Sequence, residues 1–155
     1  MSQKVAFKSP SPAETERIGQ ALAVWLRSGD VVACIGELGS GKTTFIRGVV
    51  RGLGGSEAAT SPTFVLINQY QGRLPVYHLD AYRTGSLAEV QDLGVEEILF
   101  GDGVTVIEWA EKLLPLLPDQ MIVVRISGLG EEPRHIVLEG LPEEWVLAVS
   151  DSGRF

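Results

Sequence analysis

One short run of the chain has the residue types and spacing of a phosphate-binding loop. Residues 36–43, GELGSGKT, match the pattern GxxxxGK[ST]. Its glycines leave no Cβ in the way, so successive backbone N–H groups can turn toward anionic oxygens. The amine of Lys42 can reach the β and γ phosphates of a nucleotide, and the hydroxyl of Thr43 can ligate the Mg²⁺ that bridges them. The expected phosphate contacts are Glu37, Leu38, Gly39, Ser40, Gly41, Lys42, Thr43 and Thr44.

A magnesium ion beside such a loop needs a second anchor, usually a carboxylate at the end of an apolar strand. Glu108 ends the run VTVIE, and Asp80 ends the run VYHLD. Both acids are ionised near pH 7, because carboxylate pKa values lie near 4. We expect Glu108 to hold magnesium, directly or through water, and Asp80 to orient the attacking water or share the metal. The alternative for each is a surface acid that caps a turn.

Other candidate residues flank these positions. Ser61 and Thr63 lie in the run SPTF, where nucleotide switches commonly place a hydroxyl that senses the γ-phosphate, although an ordinary Ser/Thr turn stiffened by proline is the alternative. Trp109, next to Glu108, is expected either to pack in the core or to border the nucleotide or a partner. The arginines considered for phosphate or partner contact are Arg47, Arg83 and, as the weakest candidate for the nucleotide, Arg134; solvated or salt-bridged roles are the alternative.

Two elements must position the loop. Asp30 to Ile35 form an apolar run typical of a strand covered on both faces. From Lys42 the spacing of apolar residues predicts a helix that stops at Gly52 to Gly55. An earlier amphipathic helix is predicted after the Ser and Pro residues at positions 9–12. The loop is therefore expected between a buried strand and a helix, as its chemistry requires.

The rest of the chain continues to alternate strands and helices. Strands are predicted at 3–7, 64–70, 75–79, 104–108, 121–127 and 135–138, helices at 86–94 and 95–100, and a connection at 56–63. The strands at 64–79 are expected to form a hairpin through Gln71 and Gly72. This pattern predicts an α/β fold like that of the P-loop NTPases, with a mainly parallel but mixed central sheet and helices on both faces. One domain is expected over 1–155.

Composition and charge exclude several classes of protein. The chain has 155 residues, 45% of them hydrophobic and 21% charged, which excludes an intrinsically disordered protein. Its net charge is −7, with +2 in residues 1–60 and −9 in the remainder, so a duplex-binding basic stripe is absent from both parts. No run is long and apolar enough for a membrane span, and residues 1–14 do not read as a signal peptide, so we expect a cytoplasmic protein. The single cysteine, Cys34, is expected to be a buried small hydrophobe.

Four blocks in order, GELGSGKTTFIRG, SPTF, YHLDAYR and IEW, closely resemble the TsaE family, also called YjeE. This family consists of small bacterial ATPases that take part in making N6-threonylcarbamoyladenosine at position 37 of tRNAs. The resemblance covers roughly residues 10 to 140, and the four blocks together are far more specific than the phosphate loop alone. Nothing is transferred to the stretch after Leu141, which carries no motif.

The resemblance implies ATP binding and slow, magnesium-dependent hydrolysis by a protein that works with two partners, TsaB and TsaD. It implies that Thr43 and Glu108 hold magnesium, that Asp80 lies in the hydrolytic site, and that residues 61–63 form a switch. The acidic balance agrees with partners that hold the RNA, because direct tRNA binding relies on Lys and Arg against phosphates. We therefore expect no strong direct tRNA binding and a nucleotide state that gates the complex.

Three other functions use the same loop. A small-molecule kinase needs an acceptor pocket and an arginine-bearing lid, and no arginine-rich segment follows position 83. A GTPase is less favoured, because the guanine-reading NKxD pattern and the DxxG switch are absent. A nucleotide-sensing scaffold that does not hydrolyse remains open, because residue patterns do not report a rate.

Overall fold

The computed structural model of the protein describes residues 3–36, 41–55, 58–60, 67–81, 88, 92, 94–99 and 101–146. The strands among them form one eight-stranded mixed sheet. The strands are β1 (Gln3–Ser9), β2 (Val31–Gly36), β3 (Ala58–Thr60), β4 (Ile67–Gln71), β5 (Pro75–Asp80), β6 (Val104–Glu108), β7 (Ile122–Ser127) and β8 (Arg134–Leu141). The helices are α1 (Pro12–Ala23), α2 (Lys42–Gly52) and α3 (Val95–Leu99), followed by 3₁₀ turns at Ala110–Lys112 and Leu114–Leu116.

The centre of the sheet is parallel and its edges are antiparallel. The strand order is β1-β8-β7-β2-β6-β5-β4-β3, and β7, β2, β6 and β5 run in one direction. The pairs β1–β8, β7–β8, β4–β5 and β3–β4 are antiparallel. The carboxyl ends of β2, β5 and β6 therefore meet at one edge, where ligands bind in open α/β sheets.

Helices α1 and α2 form one layer and pack unusually close. Ser11 caps α1 by accepting a hydrogen bond from the Glu14 amide at 3.3 Å, and Pro12 occupies the first turn. Gly48 of α2 lies so near α1 that a Cβ there would stand 2.0 Å from the carbonyl oxygen of Glu16. Backbone therefore packs on backbone, and α1 fixes the position of α2.

Two hydrophobic clusters cover the two faces of the sheet. On one face α1 and α2 bury Leu22 and Phe45 against alternate residues of the central strands. On the other face Leu99 of α3, together with Ala110 and Leu113 after β6, covers the intervening residues. The predicted α/β fold with helices on both faces is confirmed. Cys34 is fully buried within β2, as expected for a small hydrophobe.

The structure differs from the sequence-based prediction mainly between α2 and β4. Residues 58–60 were assigned to a connection, and this was wrong, because they form β3 by antiparallel pairing with β4. The predicted hairpin is confirmed as β4–β5, with its turn at 72–74. The stretch 61–66 and most of the predicted helix at 86–94 lie outside the described residues.

Within the described part of the chain, no helix combines the length and the apolar character needed to cross a membrane.

Candidate functional site

The phosphate-loop signature lies between β2 and α2, as predicted. β2 ends at Gly36 and α2 begins at Lys42. Gly41, directly before the helix, has φ +106°, a left-handed conformation that favours glycine. The predicted contacts at Glu37, Leu38, Gly39 and Ser40 lie outside the described residues. The loop therefore joins the end of a strand to the N-terminus of a helix, which favours an anion.

Lys42 folds back over this turn instead of extending into solvent. Its Nζ donates a hydrogen bond of 2.7 Å to the carbonyl oxygen of Gly36 and lies 4.0 Å from the ring centroid of Trp109. Only 5% of the residue is exposed. Burial lowers the pKa of Lys42, although the nearby carboxylates, Glu108 first, act in the opposite direction. A buried ammonium in this place is poised to meet an anion.

Thr43 and Glu108, the two predicted magnesium ligands, are in direct contact. The Thr43 hydroxyl donates a hydrogen bond to Oε1 of Glu108. Glu108 ends β6 and lies beside Cys34 of β2 in the sheet register, so the parallel pairing brings the acid to the start of α2. The structure brings together the two oxygen donors that the sequence placed 65 positions apart.

His78 belongs to this site, and sequence reasoning missed it. Its Nε2 lies 3.3 Å from Oε2 of Glu108, and both side chains are largely buried. In the sequence His78 is only a polar residue within the apolar run VYHLD. The available signal was its spacing of two from Asp80, which puts both side chains on the same face of one strand.

The contacts of Glu108 keep its carboxyl ionised. Burial raises the pKa of Glu108, but hydrogen bonds from His78 and Thr43, together with the charges of His78 and Lys42, outweigh burial and lower it. Each carboxylate oxygen of Glu108 has a hydrogen-bonding partner, Thr43 on Oε1 and His78 on Oε2. The carboxylate is therefore charged and oriented before any cation arrives.

Asp80 is the second acid at this edge of the sheet. It ends β5 and is the register partner of Glu108 in the parallel β5–β6 pair. Asp80 is less buried than Glu108 and lies on the same sheet face. The structure therefore places both predicted acids next to each other beside the start of α2.

These donors fit a magnesium ion better than a transition metal. The hydroxyl of Thr43 and the carboxylates of Glu108 and Asp80 are oxygen ligands, which Mg²⁺ prefers. Among the described residues no cluster of three or more His, Cys, Asp and Glu side chains forms a metal cage. Mg²⁺ commonly binds through one or two protein ligands together with substrate phosphates, so a cage of this kind is unnecessary.

Trp109 borders the site and also packs in the core. It has φ +60°, the only positive φ of a non-glycine residue in the described chain, and it directly follows Glu108, the last residue of β6. Its ring packs against the cluster around Ile107 while meeting the amine of Lys42. The core packing expected for Trp109 is therefore observed, and its contact with a nucleotide or a partner stays a prediction.

Of the remaining candidates, two arginines have described positions and three residues lie outside the described part of the chain. Arg134 starts β8, and its guanidinium donates to the carbonyl oxygens of Glu132 and Gly130, in its own β7–β8 connection. Arg47 is exposed on α2, one turn after Thr43. Ser61, Thr63 and Arg83 lie outside the described residues, so the predicted switch remains a prediction.

Comparison with known proteins shows the family of this chain. A family model described as "Threonylcarbamoyl adenosine biosynthesis protein TsaE" matches residues 9–136. The chain belongs to the TsaE family. The match spans the described site, from β2 to Glu108 and Trp109, and the family role in tRNA threonylcarbamoyladenosine biosynthesis applies to this chain.

Individual TsaE relatives match over most of their length. The protein named tRNA threonylcarbamoyladenosine biosynthesis protein TsaE from Treponema pallidum is 41% identical over 130 residues, covering 84% of this chain and 96% of its own. The TsaE of Bacillus subtilis is 34% identical over 153 residues, covering 98% and 96%. A crystal structure of Bacillus subtilis YdiB superposes with a TM-score of 0.78 at 32% identity, covering 99% of this chain and 97% of that one.

Proposed function

We propose that this protein binds ATP with Mg²⁺ and hydrolyses it slowly as a component of the tRNA threonylcarbamoyladenosine machinery. The observation that carries the proposal is the convergence of three groups at the start of α2. The Lys42 amine, the Thr43 hydroxyl and the Glu108 carboxylate meet there, beside a helix N-terminus. In this arrangement the ammonium can bind phosphate oxygens, and the hydroxyl and the ionised acid can bind the magnesium ion of a magnesium-bound triphosphate.

Each residue has a distinct task in this proposal. The backbone amides of the loop and the Lys42 ammonium bind the phosphates and neutralise charge that grows on them. Thr43 and Glu108 hold the metal, which when bound offsets the charge on the β and γ phosphate oxygens. Asp80 orients the attacking water. A strong base is unnecessary, because phosphoryl transfer depends mainly on positioning and charge neutralisation.

The nucleotide state is proposed to gate a complex with TsaD and TsaB. ATP would order the segment containing Ser61 and Thr63, the ordered protein would dock on its partners, and hydrolysis would release it. Such a switch requires that the partners bind one state far more tightly, since moving a population from 1:99 to 99:1 takes about 5.5 kcal/mol. The net charge of −7 supports RNA contact through the partners and not through this chain.

Two measurements test the proposal. Calorimetry should detect ATP binding that depends on Mg²⁺ and should favour ATP over GTP. Phosphate release should be slow for the protein alone and should rise when TsaD and TsaB are added. Lys42→Ala should lose both binding and turnover, whereas Lys8→Ala, which changes an exposed lysine on β1, should behave as wild type.

Each result that contradicts the proposal identifies the part of it that is wrong. If Lys42→Ala assembled and turned over with its partners as wild type does, gating by nucleotide would be wrong. Turnover that required an added small-molecule acceptor would favour a kinase instead. ATP binding without phosphate release, even with partners present, would favour a nucleotide-sensing scaffold.

A further inference from the structure

A small cleft adjoins the candidate site on the side of α2 that faces β4 and β5. Its volume is about 280 Å³, and its polar lining comes from Thr43, Arg47, Arg51, Tyr70 and His78. Thr43 and His78 are the two residues that hydrogen-bond the carboxylate of Glu108. The cleft therefore begins where the proposed magnesium site ends.

The lining of the cleft is cationic in a protein that is acidic as a whole. Its described lining contains two arginines and no carboxylate, while the chain carries a net charge of −7. The two arginines differ in their contacts. Arg51 forms an ion pair with Glu16 of α1.

Arg47 has no such neutralising partner among the described residues. Within the described residues it has neither a hydrogen bond nor an ion pair, and it is exposed. It lies one helical turn after Thr43, so the two side chains stand on the same face of α2. An unpaired guanidinium at the mouth of a cleft is well suited to bind a carboxylate in a bidentate manner.

We propose that this cleft is the docking site for an acidic side chain, aspartate or glutamate, of a protein partner, and that Arg47 is its charged contact. The inference rests on the partner complex of the proposed function. A cleft of about 280 Å³ has room for one inserted side chain, and a carboxylate is the side-chain group that a guanidinium binds in a bidentate manner. A single unpaired arginine is also too little for an RNA backbone, which is bound by several cations in a row.

The cleft lies next to the proposed nucleotide site, so a partner docked in the cleft would be close to the nucleotide. A carboxylate bound by Arg47 would lie beside Thr43 and His78, the residues that orient Glu108. A partner seated there contacts the metal end of the site without taking the place of any of its ligands. Partner docking and nucleotide state would thus be linked through one face of α2.

The test compares two charge reversals that change the net charge equally. Arg47→Glu alters the cleft, and Lys8→Glu alters an exposed position on β1, at the opposite edge of the sheet. Binding of each full-length variant to the TsaB–TsaD heterodimer is measured by calorimetry with ATP and Mg²⁺. We expect Arg47→Glu to weaken partner binding by at least about tenfold and Arg47→Lys to weaken it less, whereas Lys8→Glu binds as wild type.

A cross-linking experiment then identifies the partner residue. A photoreactive amino acid placed at Arg47 should capture a partner segment that contains Asp or Glu. Reversing that acid to Arg in the partner should restore binding to Arg47→Glu. A captured segment without an acid, or a reversal that fails to restore binding, would overturn the proposal.

The remaining outcomes separate this inference from the proposed function. Unchanged partner binding by Arg47→Glu, when wild type binds, overturns the docking site alone. A large loss of ATP affinity in Arg47→Glu would make Arg47 a phosphate contact, and a loss of tRNA binding would make it an RNA contact; either overturns the inference. If the wild-type protein does not bind the heterodimer, both the docking site and the partner complex are overturned. ATP binding by this protein is tested separately, by titration with ATP and Mg²⁺.

Discussion

The Nε2 atom of His78 lies 3.3 Å from Oε2 of Glu108, across the pair of parallel strands β5 and β6. Oε1 of the same carboxylate accepts a hydrogen bond from Thr43, so both of its oxygens are engaged. A carboxylate held in this way cannot rotate freely, and one oxygen stays directed toward the start of α2. His78 is therefore a positioning residue for the proposed metal ligand.

His78→Ala should weaken magnesium-dependent activity without preventing folding. Loss of a group that orients a metal ligand typically costs about 10- to 100-fold in metal affinity or activity. The magnesium concentration that gives half-maximal ATP hydrolysis should rise, and His78→Asn, which keeps a donor, should retain more activity. His135→Ala, at an exposed position on β8, is the control. Equal magnesium requirements in wild type and His78→Ala would exclude the positioning role.

The two acids should give different kinetic defects. Glu108→Gln should raise the magnesium requirement, because it removes the charge of the proposed ligand, whereas Asp80→Asn should mainly lower kcat at saturating magnesium. Titration of hydrolysis against Mg²⁺ for each variant separates the two effects. If Asp80→Asn shifted the magnesium requirement as strongly as Glu108→Gln, Asp80 would share the metal.

Acid should destabilise the metal-free protein through Glu108. Its pKa is lowered in the folded state, so its ionised form stabilises the fold above the ordinary glutamate value of about 4.3. That contribution is lost as the pH falls from there through the lowered folded pKa. In urea titrations below about pH 4, the free energy of unfolding should fall more steeply for wild type than for Glu108→Gln. Parallel pH profiles would contradict this prediction.

Binding of ATP should change the fluorescence of Trp109. The Lys42 amine lies 4.0 Å from the centre of this ring, and its movement toward a bound phosphate would change the surroundings of the indole. The chain's other two tryptophans, Trp25 and Trp145, pack on each other with their ring centres 6.4 Å apart. The change in emission on ATP addition should disappear in Trp109→Phe and persist in Trp145→Phe. If the emission of Trp109→Phe changed on ATP addition as that of wild type does, the fluorescence change would not come from the contact between Lys42 and Trp109.

Gly48→Ala should destabilise the fold by pushing α1 away from α2. The added Cβ would stand 2.0 Å from the Glu16 carbonyl oxygen, a contact that only backbone movement relieves. Overpacking of this kind costs about 1–3 kcal/mol, which corresponds to a Tm lower by roughly 2–12 °C. Arg51→Ala, which removes the exposed ion pair to the same Glu16, should cost less than about 1 kcal/mol. Thermal unfolding of both variants makes the comparison.

The parts of the site that depend on local patterns were predictable. The apolar run of β2, the glycines after it and the helical spacing from Lys42 are all contiguous, and they placed the start of α2 correctly. Glu108 was also found, because an acid at the end of an apolar strand is visible in a few adjacent residues.

The contacts made across the sheet were not predictable in the same way. The pairing of His78 with Glu108 requires β5 to lie next to β6, and strand order is decided by packing of the whole sheet. β3 was missed because Ala58 and Ala59 have little intrinsic preference for strands, and only pairing with β4 makes them extended. The contacts of Arg134 with two carbonyl oxygens of its own connection likewise depend on how that connection folds.

The backbone contact between Gly48 and Glu16 bears on how an anion meets this protein. No layer of side chains separates the two helices at that point, so the middle of α2 has no room to move toward α1 when a ligand arrives. The amides of α2 are already aligned by folding, so binding of an anion does not have to order them. We therefore expect the anion to bind α2 as a rigid element. Any rearrangement that follows capture must then be carried by segments other than α2.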